Sequence, residues 1–162
     1  MAHVRKATRE DAYSLAPRLR PVDEKEVRIL TGSDPLTSLL RGAEHDGRSI
    51  IADDGETVIG MFGVAPGVYP GVGAAWLLAS DELVNNKSHT RQFLRECPAW
   101  VWWMHTQYPV LGNVILDENR IAIRWLKWLG FKFQPAPFIG AQIFMKVQNV
   151  RAHDHRSNRA GG

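Results

Sequence analysis

Apolar and polar positions follow one another along the chain in blocks that predict short strands separated by helices. The first block is a strand around Val4, and a helix follows it. Thr8 is placed to cap that helix, with Asp11 three residues later accepting from free N–H groups. A second helix is predicted over Asp23–Leu30. Asp34 followed by proline then opens a third, because proline suits the first helical position.

The middle and second half of the chain continue the alternation. Two strands, Ser49–Ala52 and Thr57–Val64, are joined by Asp-Asp-Gly, which favours a hairpin turn. A Gly- and Pro-rich loop leads to a further apolar strand. The later predicted elements are the strand Ala74–Ala79, a helix Ser88–Gln107 that Pro98 should kink or divide, the strand Val110–Leu116, the helix Asn119–Leu129, and strands around Phe131–Phe133 and Ala141–Val147.

Composition indicates one ordinary globular domain with a short tail. The chain has 162 residues, of which 44% are hydrophobic and 23% charged, enough for a core and too apolar for wholesale disorder. We assign residues 1–150 to the domain and 151–162 to a disordered basic tail. That tail carries most of the formal +3 charge, so no nucleic-acid partner is expected. Its two histidines, His153 and His155, could bind a metal, but a solvated tail is favoured and we assign no metal site.

Two further observations bear on the cellular setting. No apolar run approaches the roughly 20 residues that a bilayer span requires, and no signal pattern opens the chain. We therefore expect no membrane association. Cys97 is the lone cysteine and cannot form an internal disulfide, which makes a cytosolic setting the default.

The stretch Asn119–Phe131 reads NRIAIRWLKWLGF, with a glycine where a helix should end. It resembles the last conserved segment of the GNAT superfamily, the acyl-CoA-dependent N-acyltransferases. A similar family opening is found at the start of the chain. The residues that carry the two resemblances are Asn119, Ala122, Ile123, Lys127, Leu129, Gly130 and Phe131 near the end, and Val4, Arg5, Ala7, Thr8 and Asp11 at the start.

The resemblance covers most of the chain from Val4 to about Val147, and it implies a fold. That fold is an α/β three-layer domain with a mixed, mostly antiparallel sheet, flanked by helices and splayed between the fourth and fifth strands. The predicted order of elements agrees with it. The resemblance also implies that the opening between those strands holds the pantetheine arm of acetyl-CoA. A backbone N–H near Leu78 and Ala79 would then bind the oxyanion.

In this family the cofactor's diphosphate rests on backbone N–H groups at the start of the helix after the fourth strand, in a glycine-containing loop. Residues 80–91 of this chain contain no glycine. One interpretation is that Asn86, Lys87, Ser88 and His89 form a basic, hydroxyl-bearing helix start that still binds the diphosphate. The other is that Ser88 simply caps the helix while its neighbours are solvated, which the missing glycines favour.

The residues for catalysis are only partly recognisable. Glu82 is the candidate general base, since an amine must be deprotonated before attack, although acidic residues at a strand end are often merely solvated. The family's tyrosine proton donor is replaced by Leu126, so the donor is unknown, and water or Tyr108 would have to substitute. Asn119 could contact the cofactor or cap the following helix, and capping is the safer expectation.

A closer resemblance links the chain to the GNAT-like internal virion (core assembly) proteins of T7-type podophages. It lies in Ser80-Asp81, in Ile123–Lys127 and in Gly130, and implies a phage protein in the cytoplasm of an infected bacterium. Two functions stay open. One is an acetyltransferase acting on acetyl-CoA and an amine acceptor. The other is a non-catalytic protein that binds a phage or host protein through exposed Trp or Arg side chains, with a homodimer also open.

Overall fold

The computed structural model describes residues 1–148, so the predicted tail 151–162 lies outside the described residues. Within these 148 residues, seven strands and six α-helices follow one another, with a 3-10 turn at Ala16–Arg18. The strands are β1 His3–Lys6, β2 Arg48–Ile51, β3 Val58–Pro66, β4 Val72–Ala79, β5 Val110–Leu116, β6 Lys132–Pro135 and β7 Ala141–Val147. The helices are α1 Arg9–Leu15, α2 Pro21–Thr31, α3 Pro35–Glu44, α4 Asp81–Asn85, α5 Lys87–His105 and α6 Arg120–Trp128.

All seven strands form one sheet in the order β1-β2-β3-β4-β5-β7-β6. Every neighbouring pair is antiparallel except β4 and β5, which are parallel. Helices cover both faces. One core contains Leu15, Val27 and Leu39 from α1, α2 and α3, and the other contains Phe93 and Val101 from α5, with α6 packed against it. The predicted three-layer α/β domain with a mixed, mostly antiparallel sheet is therefore confirmed.

Local chemistry explains where the first helices begin. Thr8 and Asp11 form a complete capping box, in which the Thr8 side chain accepts from Asp11 N–H and the Asp11 carboxylate accepts from Thr8 N–H. Asp34 caps α3 by accepting from Thr37 N–H at 2.8 Å, with Pro35 in the first helical position. Both caps are as the sequence predicts.

The structure departs from the sequence expectations in the second half. Of the two effects expected of Pro98, a kink or a division, the division does not occur, because α5 is one helix of 19 residues; proline removes one N–H donor, and the packing of α5 in the core holds the rest. The helix α4 was not expected. Ser88 does not cap α5, because the cap is Asn86, whose side chain accepts from the N–H groups of Ser88 and His89.

The expectation that the Asn119 side chain caps α6 is also wrong. Asn119 occupies the position before the helix, and its carbonyl accepts from Ile123 N–H. Its amide side chain makes no capping hydrogen bond and is buried against α2 instead. Tertiary contacts with charged groups of another helix therefore outcompeted the local cap.

Candidate active site

The strands β4 and β5 separate after a short paired segment. Their only paired positions are Val72 with Val110 and Gly73 with Leu111, although β4 continues to Ala79. The predicted splay between the fourth and fifth strands is confirmed. A cavity of about 530 Å³ occupies the gap and reaches both faces of the sheet, with α5 and α6 on one side and α2 and α3 on the other. We call this cavity the slot.

Three side chains take the place of the missing strand pairing. Asn113 of β5 donates its amide N–H to the carbonyl of Ala75 in β4 at 3.0 Å. At the open end, Asp23 of α2 accepts from Ala79 N–H at 3.0 Å, and Glu26 accepts from Leu116 N–H at 3.0 Å. Buried backbone N–H groups need partners, so α2 satisfies both strands where they are too far apart to satisfy each other.

Leu77 presents its backbone to the slot. Hydrogen-bonding groups of successive residues point to opposite edges of a strand. Ser80 N–H donates to Ile59 of β3, whereas Ala79 N–H and the Ala75 carbonyl bond to residues on the β5 side. By this alternation the N–H and carbonyl of Leu77 also face β5, at a level where the two strands are not paired.

The wall of the slot on the α5 and α6 side is almost entirely apolar. The Leu126 and Trp125 side chains line it from α6, and no residue of that helix is fully buried because its inner face borders empty space. The remaining lining on this side comes mainly from Phe93, Cys97, Trp100, Val101, Leu129 and Phe131. Burial raises the pKa of the Cys97 thiol to about 12, so this thiol is neutral and contributes only apolar surface.

The open end of the slot holds four buried or half-buried polar side chains, which we call the polar cluster: Arg20, Asp23, Glu26 and Asn119. The Asn119 amide donates to Glu26 Oε2 at 3.0 Å and lies 3.5 Å from Asp23 Oδ1. The Arg20 guanidinium lies 3.5 Å from both Asp23 Oδ1 and Asn119 Oδ1. One cation thus faces two carboxyl groups, and Asn119 links them.

Burial makes both acids of the polar cluster weaker than usual. Desolvation raises the pKa of Glu26 to about 7, against the lowering effect of hydrogen bonds from Leu116 and Asn119. Desolvation likewise raises the pKa of Asp23 to about 6, although the charge of Arg20 opposes the shift. These are the values that a group exchanging protons near neutral pH requires.

The structure brings only some of the predicted site residues to the slot. Leu78 and Asn119 line it, but the backbone N–H of Leu78 faces β3, since its neighbours on either side face β5. Ala79 lies at the open end, where its N–H is already bonded to Asp23. Among the backbone donors near this point, Leu77 is the one directed into the slot.

The predicted diphosphate residues lie at the start of α5. Lys87 and Ser88 are exposed, and Asn86 uses its side-chain oxygen on the N–H groups of Ser88 and His89. The His89 ring points elsewhere: it is buried, and its Nε2 lies 3.4 Å from Asp53 Oδ1. The cap therefore occupies two of the N–H groups that an anion at this helix end would use.

The predicted catalytic residues lie outside the slot. Glu82 of α4 is exposed and pairs with Arg18 at 3.4 Å. Tyr108 does not line the slot; its ring packs against Gly73, where an added Cβ would be only 2.6 Å from it. Two acids that the sequence analysis did not single out, Asp23 and Glu26, line the slot in the polar cluster. Their spacing in the sequence could have indicated them, because residues three positions apart lie on one face of a helix. Asp23 and Glu26 lie on the same face of α2 as the apolar residues Val27 and Leu30.

Solved structures share this architecture. The GNAT domain of PAT from S. lividans superposes with a TM-score of 0.64 at 16% identity, covering 90% of each chain. The fold is that of the GNAT acetyltransferases. An N-acetyltransferase from Staphylococcus aureus Mu50 gives a TM-score of 0.63 at 13% identity over 91% of this chain and 98% of that one. The PaiA N-acetyltransferase from Thermoplasma acidophilum, solved with coenzyme A, gives a TM-score of 0.60 at 15% identity over 91% of this chain and 99% of that one.

No protein-family model and no curated protein matches the sequence. At such low identity the structural matches establish the fold, and the chemistry has to be argued from the slot itself. Within residues 1–148, no helix has both the length and the apolar character needed to cross a bilayer. The same residues contain no group of three or more His, Cys, Asp or Glu side chains arranged to hold a metal ion.

Proposed function

We propose that this protein is an acyl-CoA-dependent N-acyltransferase, with acetyl-CoA as the donor, that binds the thioester arm in the slot. The observation that carries the proposal is the slot. Two parallel strands part, and the N–H and carbonyl of Leu77 are left facing an apolar cavity of about 530 Å³. An extended arm with amide groups fits such a gap because it can pair with the strand backbone and fill the apolar space.

The residues of the slot suit the chemistry of acyl transfer. Acetyl-CoA supplies an activated acyl group, which an amine can attack while the thiolate leaves. Leu77 N–H is placed to donate to the acyl oxygen as negative charge develops on it, and this assignment replaces Leu78 and Ala79. Glu26 is the candidate for accepting the amine's proton, since its pKa of about 7 suits a base near neutral pH.

The diphosphate of the donor would be held mainly by side chains. With Asn86 occupying two N–H groups of α5, the exposed Lys87 and Ser88 side chains are the groups that can reach an anion there. A point charge and a hydroxyl bind a diphosphate less tightly than a ring of backbone donors does. We therefore expect weaker coenzyme A binding than a glycine-containing loop would give.

The test is a thermal shift with acetyl-CoA. A ligand at a hundred times its Kd adds about 2.7 kcal/mol to the stability of the folded protein, which is easily detected. Ala122→Phe, on the inner face of α6, should fill the slot and abolish the shift. Arg124→Phe adds the same ring on the exposed outer face of that helix and should leave it unchanged. Equal shifts for both variants would contradict binding in the slot.

A second candidate function is non-catalytic binding of a phage or host protein in an infected bacterium. The capped start of α5 and Leu126 at the family's tyrosine position favour it, as do two large exposed rings, Trp102 at 69% and Trp128 at 62%. The resemblance to podophage virion proteins supports the same setting. This function predicts no thermal shift with acetyl-CoA. It also predicts that Trp102→Ala reduces partner binding or phage assembly, whereas Ala122→Phe leaves it unchanged.

A further inference from the structure

We infer that the half of the slot between α2, α3 and β4 binds a primary monoamine carried on a flat apolar body, such as an arylalkylamine. The inference rests on the proposed function, in which this ligand is the acyl acceptor. It concerns a different part of the slot from the thioester arm, and it can be tested without coenzyme A.

The first argument is the shape of this half of the slot. Its walls include Val27 and Leu30 of α2, Gly42 of α3 and the Trp76 indole of β4. The indole lies directly on glycines: a Cβ at Gly42 would be 2.5 Å from Trp76 Cη2, and one at Gly63 would be 3.1 Å from Trp76 Nε1. Trp76 is therefore held in place as a flat wall, and a flat apolar group packs best against it.

The second argument is the charge at the end of this half that holds the polar cluster. A carboxylate can accept about four hydrogen bonds, and Glu26 accepts two from residues 1–148, one from Leu116 and one from Asn119. Arg20 offsets one of the two acids of the polar cluster. With both acids ionised, this end carries one net negative charge and spare acceptor positions. An ammonium group supplies a positive charge and three donors, whereas a hydroxyl supplies one donor without charge and a carboxylate supplies neither.

The third argument concerns the opposite end of this half, beside α3. The charged and titratable side chains that line this half of the slot are Arg20, Asp23, Glu26, Arg41 and His45, and Asp81 acts on Asp23 from α4. Arg41, exposed on α3, adds positive rather than negative charge there. A second ammonium group on the ligand would therefore meet repulsion, so a monoamine is favoured over a polyamine or a lysine-rich peptide.

Isothermal calorimetry at about pH 8, where Glu26 is mostly ionised, tests the inference on the protein without coenzyme A. Phenethylamine should bind at least about tenfold more tightly than 2-phenylethanol, its neutral analogue, and than spermidine. Glu26→Gln should weaken phenethylamine about tenfold. Glu24→Gln, an exposed acid on the same helix, should have no effect.

Each arm of this experiment has a contrary result. Equal binding of the amine and the alcohol, or loss of affinity in Glu24→Gln as well, would overturn the assignment of Glu26 as the ammonium partner. Tighter binding of spermidine would overturn the monoamine assignment. Amine binding without a thermal shift by acetyl-CoA would contradict the proposed transferase function and leave this inference standing. A thermal shift by acetyl-CoA without amine binding would contradict this inference and leave the proposed function standing.

Discussion

Glu26→Gln should change the pH dependence of folding stability in a way that reports the buried carboxyl directly. The pKa of Glu26 rises from 4.5 to about 7 on folding. The folded protein therefore keeps this proton at pH values where the unfolded chain has lost it. The contribution of protonated Glu26 to the free energy of unfolding is therefore fully present below about pH 4.5, and it is lost as the pH rises through about 7.

The size of the effect follows from the pKa difference. Raising the pKa from 4.5 to about 7, at about 1.4 kcal/mol for each tenfold change in the ionisation constant, corresponds to a limit of about 3.5 kcal/mol. Between about pH 5 and pH 8, most of that amount is lost, so we expect wild type to lose about 2 to 3 kcal/mol through Glu26. Glutamine cannot ionise, and its oxygen can still accept from Leu116 N–H.

The assay is urea unfolding, followed by tryptophan fluorescence, at several pH values between about 5 and 8. Removing Glu26 also disturbs its hydrogen bond with Asn119, which lowers absolute stability by about 1 kcal/mol. The comparison is therefore made on the change with pH and not on absolute stability. Glu24→Gln, on the same helix but exposed, should retain the wild-type pH dependence.

An identical pH dependence in wild type and Glu26→Gln would refute the reasoning, because Glu26 would then ionise as in the unfolded chain. A steeper loss in the variant would have the wrong sign. Asp23, whose pKa is raised to about 6, should give a smaller effect of the same sign in Asp23→Asn. Additive effects of the two variants would show that the acids titrate independently.

Three further predictions follow from single contacts. Leu126→Tyr places a hydroxyl in the slot and should raise acetyl transfer to phenethylamine by at least about tenfold in a thiol-release assay; an unchanged rate would show that proton donation is not limiting. Asn86→Gly should lower folding stability by only a few tenths of a kcal/mol, and it frees the N–H groups of Ser88 and His89. Calorimetry should then show about tenfold tighter coenzyme A binding, and weaker binding would contradict an anion site there. Gly42→Ala forces the Trp76 ring to move and should lower stability by roughly 1 to 3 kcal/mol in urea unfolding, whereas an unchanged midpoint would show that the ring is not held.

The sequence by itself determined most of the elements, because their signals are local. The capping box of Thr8 and Asp11 and the Asp34-Pro35 start depend on residues within four positions of each other, and both formed as predicted. Apolar periodicity likewise located the strands of the sheet. The splay between β4 and β5 was predicted from the family resemblance, because no feature of the residues in those two strands indicates it.

Only the tertiary structure decided the polar cluster. Asn119 is 93 positions from Glu26 and 96 from Asp23, yet it bonds with both acids instead of capping its own helix. Such contacts depend on how α2 lies across two separated strands. Two buried N–H groups, those of Ala79 and Leu116, needed acceptors there, and the cost of leaving them unpaired fixed where the acids lie.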